Sequence, residues 1–151
     1  MTATADILAV ATPQIKQDEG CRLHSYPDPL SGGDPWTIGY GATGPDIGPS
    51  TIWTQEEADT DLGVRLSVLC DSLDGALPWW TGLTAPRAAV LVNMAYNLGL
   101  NGLLGFPHML AAAQAGKWAE AHDEMLNSAW ARQVPARALR LASQMQTGRT
   151  A

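Results

Sequence analysis

The sequence contains little cysteine and little histidine, the residues that most often bind metals. Its two cysteines, Cys21 and Cys70, lack the spacing of metal ligands, and we expect two reduced thiols rather than a disulfide. The three histidines, His24, His108 and His122, are scattered, with no pair at ligand spacing. We therefore expect no metal site.

The chain also lacks a long hydrophobic run and an excess of basic residues. Its longest apolar run near the N-terminus, Ile7 to Ala11, is far shorter than the roughly 20 residues of a membrane-spanning helix, and no basic flank suggests a signal peptide. The 9 basic and 15 acidic residues give a formal net charge of -6, whereas a nucleic-acid partner would require a basic face. We expect a soluble protein with no stable membrane insertion and no nucleic-acid partner.

Apolar residues make up 46% of the 151 positions, which is enough for a core in one domain or in two small lobes that share a helix. Thr12 is suited to cap a helix, Pro13 to begin it and Gly20 to end it, so a short helix is predicted there. From Leu23 to Ile52, frequent Gly and Pro with β-forming residues in WTIGY predict a small antiparallel sheet.

The rest of the chain has the pattern of helices. Thr54 and Glu57 have the spacing of a capping box, which opens a helix to about Leu73. A second helix is predicted to end at Gly99, and FPHMLAAAQAG, KWAEAHDEML and PARALRLASQM are predicted as further helices. The predicted fold is α+β and mostly helical. It has a β-rich lobe at about 20–53, a long bridging helix at about 54–74 and a helical lobe at about 75–151 plus 12–20, with a cleft between the lobes.

Two carboxylates in the irregular stretch from Glu19 to Gly44 suit acid and base chemistry. Glu19 falls in the last turn of a predicted helix, where the negative end of the helix dipole suits a general acid. Asp28 lies between Pro27 and Pro29, whose fixed φ angles restrain its backbone. Such a pair can hydrolyse a glycosidic bond, but the same spacing also fits a solvated helix end followed by a turn Asp.

Several motifs in register resemble those of the bacteriophage lysozymes of the T-even type, also called endolysins or muramidases. The first are Glu19, Gly20, Arg22 and Leu23, followed by Tyr26, Asp28 and TIGYG at residues 37–41. Downstream, the matching motifs are DSLD, NMAYNLG, GF, KWAEA, SAW, PARALR and TGR. The resemblance covers the chain from about residue 12 to its end and implies a lysozyme-like α+β fold.

The resemblance implies roles for particular residues. Glu19 would be the general acid, Asp28 the second carboxylate and Thr37 a residue that holds the attacking water, in a reaction that inverts the sugar carbon without a cofactor. Arg137 would pair with Glu19. In the substrate cleft, Asn97 would face the sugar and Tyr96 would form part of the wall.

Two positions depart from the family pattern. The segment LSGGDPW lengthens the loop between Asp28 and Thr37, and it offers Asp34 as a rival base. Ala42 stands where relatives often have His after TIGYG. Trp36, beside Thr37, is equally suited to stacking on a sugar and to packing.

The predicted function is that of a monomeric phage endolysin that acts on bacterial peptidoglycan and stays in the host cytoplasm until a holin releases it. One alternative is a lysozyme-like antibacterial effector or tail-associated domain with the same chemistry. Another is a peptidoglycan-binding module that has lost catalysis.

The net charge of -6 leads to a prediction about salt. Moderate salt should raise lytic activity or leave it nearly unchanged, because screening weakens the repulsion between an acidic protein and an anionic cell wall. Rates of turbidity loss measured over a salt series would test this. A steep loss of activity from low salt upwards would contradict it.

Overall fold

The computed structural model describes residues 1–150, which form seven α-helices and one two-stranded sheet. In chain order the elements are α1 (Thr4–Glu19), β1 (Arg22–Tyr26), β2 (Thr37–Gly39), α2 (Gln55–Ala76), α3 (Ala85–Leu104), α4 (Pro107–Gln114), α5 (Trp118–Leu126), α6 (Ala129–Gln133) and α7 (Pro135–Thr147). A short 3-10 helix, Trp80–Gly82, precedes α3. The predicted α+β, mostly helical class is confirmed.

The chain divides into two compact units. One unit is Gln14–Val68, which contains the end of α1, both strands and most of α2. The other consists of Met1–Pro13 and the chain from Leu69 onward, and it contains the start of α1, the end of α2 and the remaining helices.

Helix α1 is longer than the sequence pattern predicted. It begins at Thr4, and Pro13 lies inside it, so the prediction of a short helix that is capped by Thr12 and begins at Pro13 is wrong. Ile7, Ala11 and Ile15 are fully buried at a spacing of four residues, which places them on one helical face. Burial of this face stabilises the helix across Pro13, although the proline removes one backbone hydrogen bond.

The capping box at the start of α2 is confirmed. The hydroxyl of Thr54 accepts a hydrogen bond from the backbone N–H of Glu57 at 3.1 Å, and the Glu57 carboxylate accepts one from the N–H of Thr54 at 3.2 Å. The reciprocal pair satisfies N–H groups that have no partner within the helix. Helix α2 continues to Ala76, slightly beyond the predicted end near Leu73.

Strands β1 and β2 form the predicted antiparallel sheet. Arg22 pairs with Gly39 and Tyr26 pairs with Thr37, with an irregularity between the two pairs. The segment before α2 runs along β1, where the backbone N–H of Ser25 bonds to the carbonyl of Thr51 at 3.0 Å. The register therefore sets the positions of the residues that precede and follow each strand, including Asp28 after β1 and Tyr40 after β2.

The TIGYG motif forms a tight turn at the end of β2. Ile38 and Ala42 exchange two backbone hydrogen bonds of 3.0 and 2.8 Å, and Gly39 and Gly41 between them have positive φ angles of 63° and 96°. A Cβ atom on Gly39 would lie 2.9 Å from Cζ3 of Trp53. Gly39 is therefore required by its backbone conformation and by the packing of this indole.

The helices after Leu69 pack around a hydrophobic core. Helix α3 contributes a fully buried run from Ala88 to Val92, together with Met94. The helix is interrupted at Gly99, where φ is 78° and ψ is 161°, and this confirms the predicted end. A short helical segment continues from there to Leu104.

Arg87 on α3 holds the end of α7. Its Nε donates to the carbonyl of Met145 at 2.8 Å and its Nη2 donates to the carbonyl of Gln146 at 2.9 Å. The guanidinium lies 3.8 Å from the centroid of the Trp118 ring, in a cation–π contact. Burial lowers the pKa of Arg87 below its usual value.

Both cysteines are free thiols, as predicted. Burial, with smaller effects from Asp74 and Asp71, raises the pKa of Cys70 to about 11. A buried thiol of this kind is poorly reactive.

Within residues 1–150, no single helix is long and apolar enough to cross a membrane. Helices α3 and α4 reach that length and composition only when taken together, and they are bent by 105° at the break between them.

A matched pair of glycine substitutions tests the packing of Gly39. Gly32 also has a positive φ, 73°, but no atom lies within 4 Å of the position that a Cβ atom would occupy there. Gly32→Ala should lower the free energy of unfolding by about 1 kcal/mol, from backbone strain alone. Gly39→Ala should lower it by about 3 kcal/mol, because the clash with Trp53 adds to the strain. Urea unfolding of both variants measures the difference, and equal losses would mean that the indole contact contributes little.

Candidate functional site

Glu19 lies at the junction between α1 and β1. It is the last residue of α1 and is half-buried. Gly20 ends the helix with a φ of 67°, and its N–H bonds to the carbonyl of Lys16 at 3.0 Å. Strand β1 begins two residues later at Arg22. The carboxyl group is thus attached to a regular helix rather than to the loop that follows.

Asp28 stabilises the turn in which it lies. Its Oδ2 accepts hydrogen bonds from the backbone N–H groups of Leu30 at 3.2 Å and Ser31 at 3.0 Å. Its own N–H bonds to the carbonyl of Gly33 at 2.9 Å, and its carbonyl accepts from Gly32 at 2.8 Å. Both of these side-chain hydrogen bonds reach the same oxygen, Oδ2, and fix the orientation of the carboxylate.

Asp34, the rival base, is held less firmly. Its backbone carbonyl accepts a hydrogen bond from the Ser31 hydroxyl at 2.7 Å, and the residue is exposed. That bond restrains the backbone but leaves the Asp34 side chain unrestrained. Asp28 is half-buried, and both its backbone and its carboxylate are fixed.

The hairpin register brings Thr37 and Asp28 to the same end of the sheet. Thr37 begins β2 and pairs with Tyr26, which precedes Asp28 by two residues. Thr37 and the adjacent Trp36 are half-buried. Glu19 precedes β1, whereas Asp28 follows it, so the five-residue strand separates the two carboxylates along the chain.

The other predicted site residues belong to the other unit, on α3 and α7. The Asn97 side-chain oxygen accepts a hydrogen bond of 2.7 Å from the indole N–H of Trp130. Its contact with a sugar stays a prediction. Trp130 is 3% exposed and packs edge-on against Phe106, with ring centroids 6.1 Å apart. Tyr96, next to Asn97, is half-buried.

Arg137 on α7 is buried, with 7% of its surface exposed. Its Nε donates to the side-chain oxygen of Asn93 on α3 at 2.8 Å, and Asn93 is fully buried. This bond orients the guanidinium from within its own unit. Its pairing with Glu19 stays a prediction.

A cluster of polar residues in the Gln14–Val68 unit was not predicted as functional. It consists of Lys16, Tyr40, Gln55 and Asp59, which come from α1, the TIGYG turn and α2. Gln55 and Asp59 lie one turn apart on α2, but Lys16 and Tyr40 are distant from them along the chain. The Tyr within TIGYG, three residues beyond Thr37, was the one local signal that could have pointed to it.

The described part of the chain also contains no metal-binding cluster. Within residues 1–150, no group of three or more His, Cys, Asp or Glu side chains could hold a metal ion.

Comparisons with known proteins relate the whole region that contains these residues to one family. The Phage lysozyme family model matches residues 16–143. The chain is 40% identical over 100 residues to probable T4-type lysozyme 1 of Dictyostelium discoideum, which is 64% of this chain and 59% of that protein. It is 32% identical over 112 residues to an endolysin of Bacillus phage B103, which is 74% of this chain and 41% of the endolysin.

A third relative is a structural protein of a phage particle. The chain is 32% identical over 161 aligned residues to the pre-baseplate central spike protein Gp5 of Enterobacteria phage T4, covering 89% of this chain but 27% of that protein. Across the three relatives, the matched region spans from 27% to 59% of the relative's length. Because the family model matches most of the sequence, including Glu19, Asp28, Thr37 and Arg137, the chain belongs to the phage lysozyme family.

Proposed function

We propose that this protein is a lysozyme, a glycoside hydrolase that cleaves the β-1,4 bond between N-acetylmuramic acid and N-acetylglucosamine in peptidoglycan. Membership of the phage lysozyme family supports this, as do relatives named lysozyme and endolysin. The observation that carries the proposal is the arrangement of Glu19 and Asp28 on either side of β1, with Thr37 at the Asp28 end.

In the proposed reaction, the Glu19 carboxyl group donates its proton to the glycosidic oxygen as the bond to the anomeric carbon breaks. A water molecule held by the carboxylate of Asp28 and the hydroxyl of Thr37 attacks that carbon from the opposite face. Asp28 accepts the proton that the water loses, and the configuration of the sugar carbon inverts.

A wide separation of the two carboxylates would fit this single displacement. Inverting enzymes hold their carboxyl groups roughly 6.5–9.5 Å apart, which leaves room for the water, whereas a covalent intermediate requires roughly 5–5.5 Å. Glu19 and Asp28 lie beyond opposite ends of the five-residue strand β1, which fits the wider spacing better than the narrower one. Proton NMR of the first product formed tests the stereochemistry: inversion releases the α-anomer.

The proposed setting is lysis of a bacterial host. The protein would act as a monomer that remains in the host cytoplasm until a holin gives it access to the cell wall. The similarity to the Bacillus phage endolysin supports this role.

A tail-associated role is a second candidate, supported by the match to the central spike protein. Immunoblotting distinguishes the two roles. An endolysin is found free in the lysate, whereas a tail component is found in purified particles. A binding module without catalysis is disfavoured, because Glu19 and Asp28 are both present.

Replacement of the proposed acid tests the assignment directly. Glu19→Gln should lower the rate of turbidity loss of permeabilised Gram-negative cells by about 10³-fold, because it removes the transferable proton while it keeps the side-chain shape. Glu56→Gln is the matched control, since Glu56 is an exposed residue in the first turn of α2. If Glu19→Gln retained activity within tenfold of the wild type, Glu19 would not be the acid.

The two candidate bases can be separated by equivalent substitutions. Asp28→Asn should lower turnover at least about a hundredfold, since it removes the base but keeps an oxygen that can accept the turn hydrogen bonds. Asp34→Asn should change turnover less than about threefold, and Thr37→Val should fall between the two because it removes only one ligand of the water. Circular dichroism would establish that each variant folds. A larger loss from Asp34→Asn than from Asp28→Asn would assign the base to Asp34.

A further inference from the structure

The carboxylate of Asp59 on α2 joins three elements of the Gln14–Val68 unit. Its Oδ1 accepts hydrogen bonds from the Tyr40 hydroxyl at 3.0 Å and from Nε2 of Gln55 at 2.9 Å. The same oxygen lies 3.2 Å from Nζ of Lys16. One oxygen atom thus contacts α1, the TIGYG turn and the first turn of α2.

The three groups around Asp59, which with it form the Asp59 cluster, also contact one another. Nε2 of Gln55 donates to the Tyr40 hydroxyl at 2.9 Å, so this hydroxyl donates to Asp59 and accepts from Gln55. Nζ of Lys16 lies 5.7 Å from the centroid of the Tyr40 ring. Because every member has at least two partners within the cluster, displacement of one side chain would affect the others.

The protonation states of Tyr40 and Asp59 keep the hydrogen bonds of the cluster intact at neutral pH. Burial, followed by the hydrogen bond to Asp59, raises the pKa of Tyr40 to about 12, so this hydroxyl keeps its proton at neutral pH. The hydrogen bonds from Gln55, Tyr40 and Lys16 lower the pKa of Asp59, so this carboxylate stays ionised there. The contacts therefore persist across the neutral range.

The cluster includes a residue near Glu19 and a residue near Thr37 in the sequence. Lys16 precedes Glu19 by three residues on α1 and shares its helical face. Tyr40 follows Thr37 by three residues, at the far end of the short strand β2. The Asp59 cluster is therefore a side-chain link between the helix end that carries Glu19 and the turn that follows the strand carrying Thr37.

We propose that Asp59 is a positioning residue for the hydrolysis, which holds Glu19 at its working distance from the water bound at Thr37. This inference rests on the proposed function. Asp59 acts through Lys16 and Tyr40 and does not itself contact the reacting atoms.

The expected effect is on turnover rather than on stability. The ion pair is partly exposed, with 36% of the Lys16 side chain and 41% of the Asp59 side chain accessible, and such pairs contribute little to folding. A misplacement of about 1 Å in an active site can cost about a hundredfold in rate. A substitution that weakens the contacts of Asp59 should thus lower kcat with little change in the free energy of unfolding.

Asp61 provides a matched control for Asp59. It lies two residues further along α2 and also forms one ion pair, with Nε of Arg65 at 2.8 Å. Asp59→Ala and Asp61→Ala remove the same charge from the same helix, and each breaks one ion pair. They differ in that Asp59 contacts Lys16, one helical turn from Glu19, and accepts hydrogen bonds from Tyr40 and Gln55. The partner of Asp61, Arg65, instead donates to the backbone carbonyl of Thr43 at 3.1 Å, beyond the TIGYG turn.

The experiment measures kcat and KM on soluble peptidoglycan fragments, together with urea unfolding. Asp59→Ala should lower kcat by about tenfold and leave KM within about twofold, because the substrate contacts are unchanged. Asp61→Ala should leave both constants within about twofold. Asp59→Asn should recover most of the lost kcat, since its amide oxygen can still accept from Tyr40 and Gln55.

Each outcome has a clear consequence. A kcat for Asp59→Ala within twofold of the wild type, or equal losses in the Asp59 and Asp61 variants, would overturn the positioning role while the proposed function stands. A loss of kcat that simply follows the loss of folded protein would overturn it as well. A folded wild-type protein that releases no fragments would overturn the proposed function, and the positioning role with it.

Discussion

The geometry of the candidate site depends on the point at which α1 ends. Gly20 has a φ of 67° there, a conformation that residues with a side chain rarely adopt, and its N–H completes the last helical turn. Glu19 is therefore the final helical residue, and β1 follows at once. The register of the hairpin, Arg22 with Gly39 and Tyr26 with Thr37, then determines where Thr37 lies and where the turn of Asp28 begins.

Elements with local sequence signals were predictable, and those stabilised by distant contacts were not. The capping box of Thr54 and Glu57 and the helix break at Gly99 each depend on neighbouring residues, and both were predicted correctly. The start of α1 was not, because a proline normally marks a helix beginning and the burial of Ile7 and Ala11 is a tertiary effect. The family motifs supplied the candidate site residues. The Asp59 cluster had only the Tyr of TIGYG as a local signal, because α1, the turn and α2 meet only in the folded chain.

Several acidic residues of the Gln14–Val68 unit have partners within that unit. Glu57 caps α2, Asp28 stabilises its turn, Asp59 binds Lys16 and Asp61 binds Arg65. Their charges thus contribute to the net charge of -6 while serving the fold. These four carboxylates therefore serve the fold of this unit.

The contact between Arg87 and the end of α7 affects how that helix opens. The last carbonyl groups of a helix have no partner within it, and they usually bond to water, so the final turn unwinds readily. Here two of them, on Met145 and Gln146, bond to a side chain that is itself stacked on Trp118. Unwinding of the final turn would therefore expose part of an aromatic contact as well as the backbone. The end of α7 is thus expected to open together with its neighbours, as part of one cooperative unit, and to retain its amide hydrogens about as long as the middle of the helix.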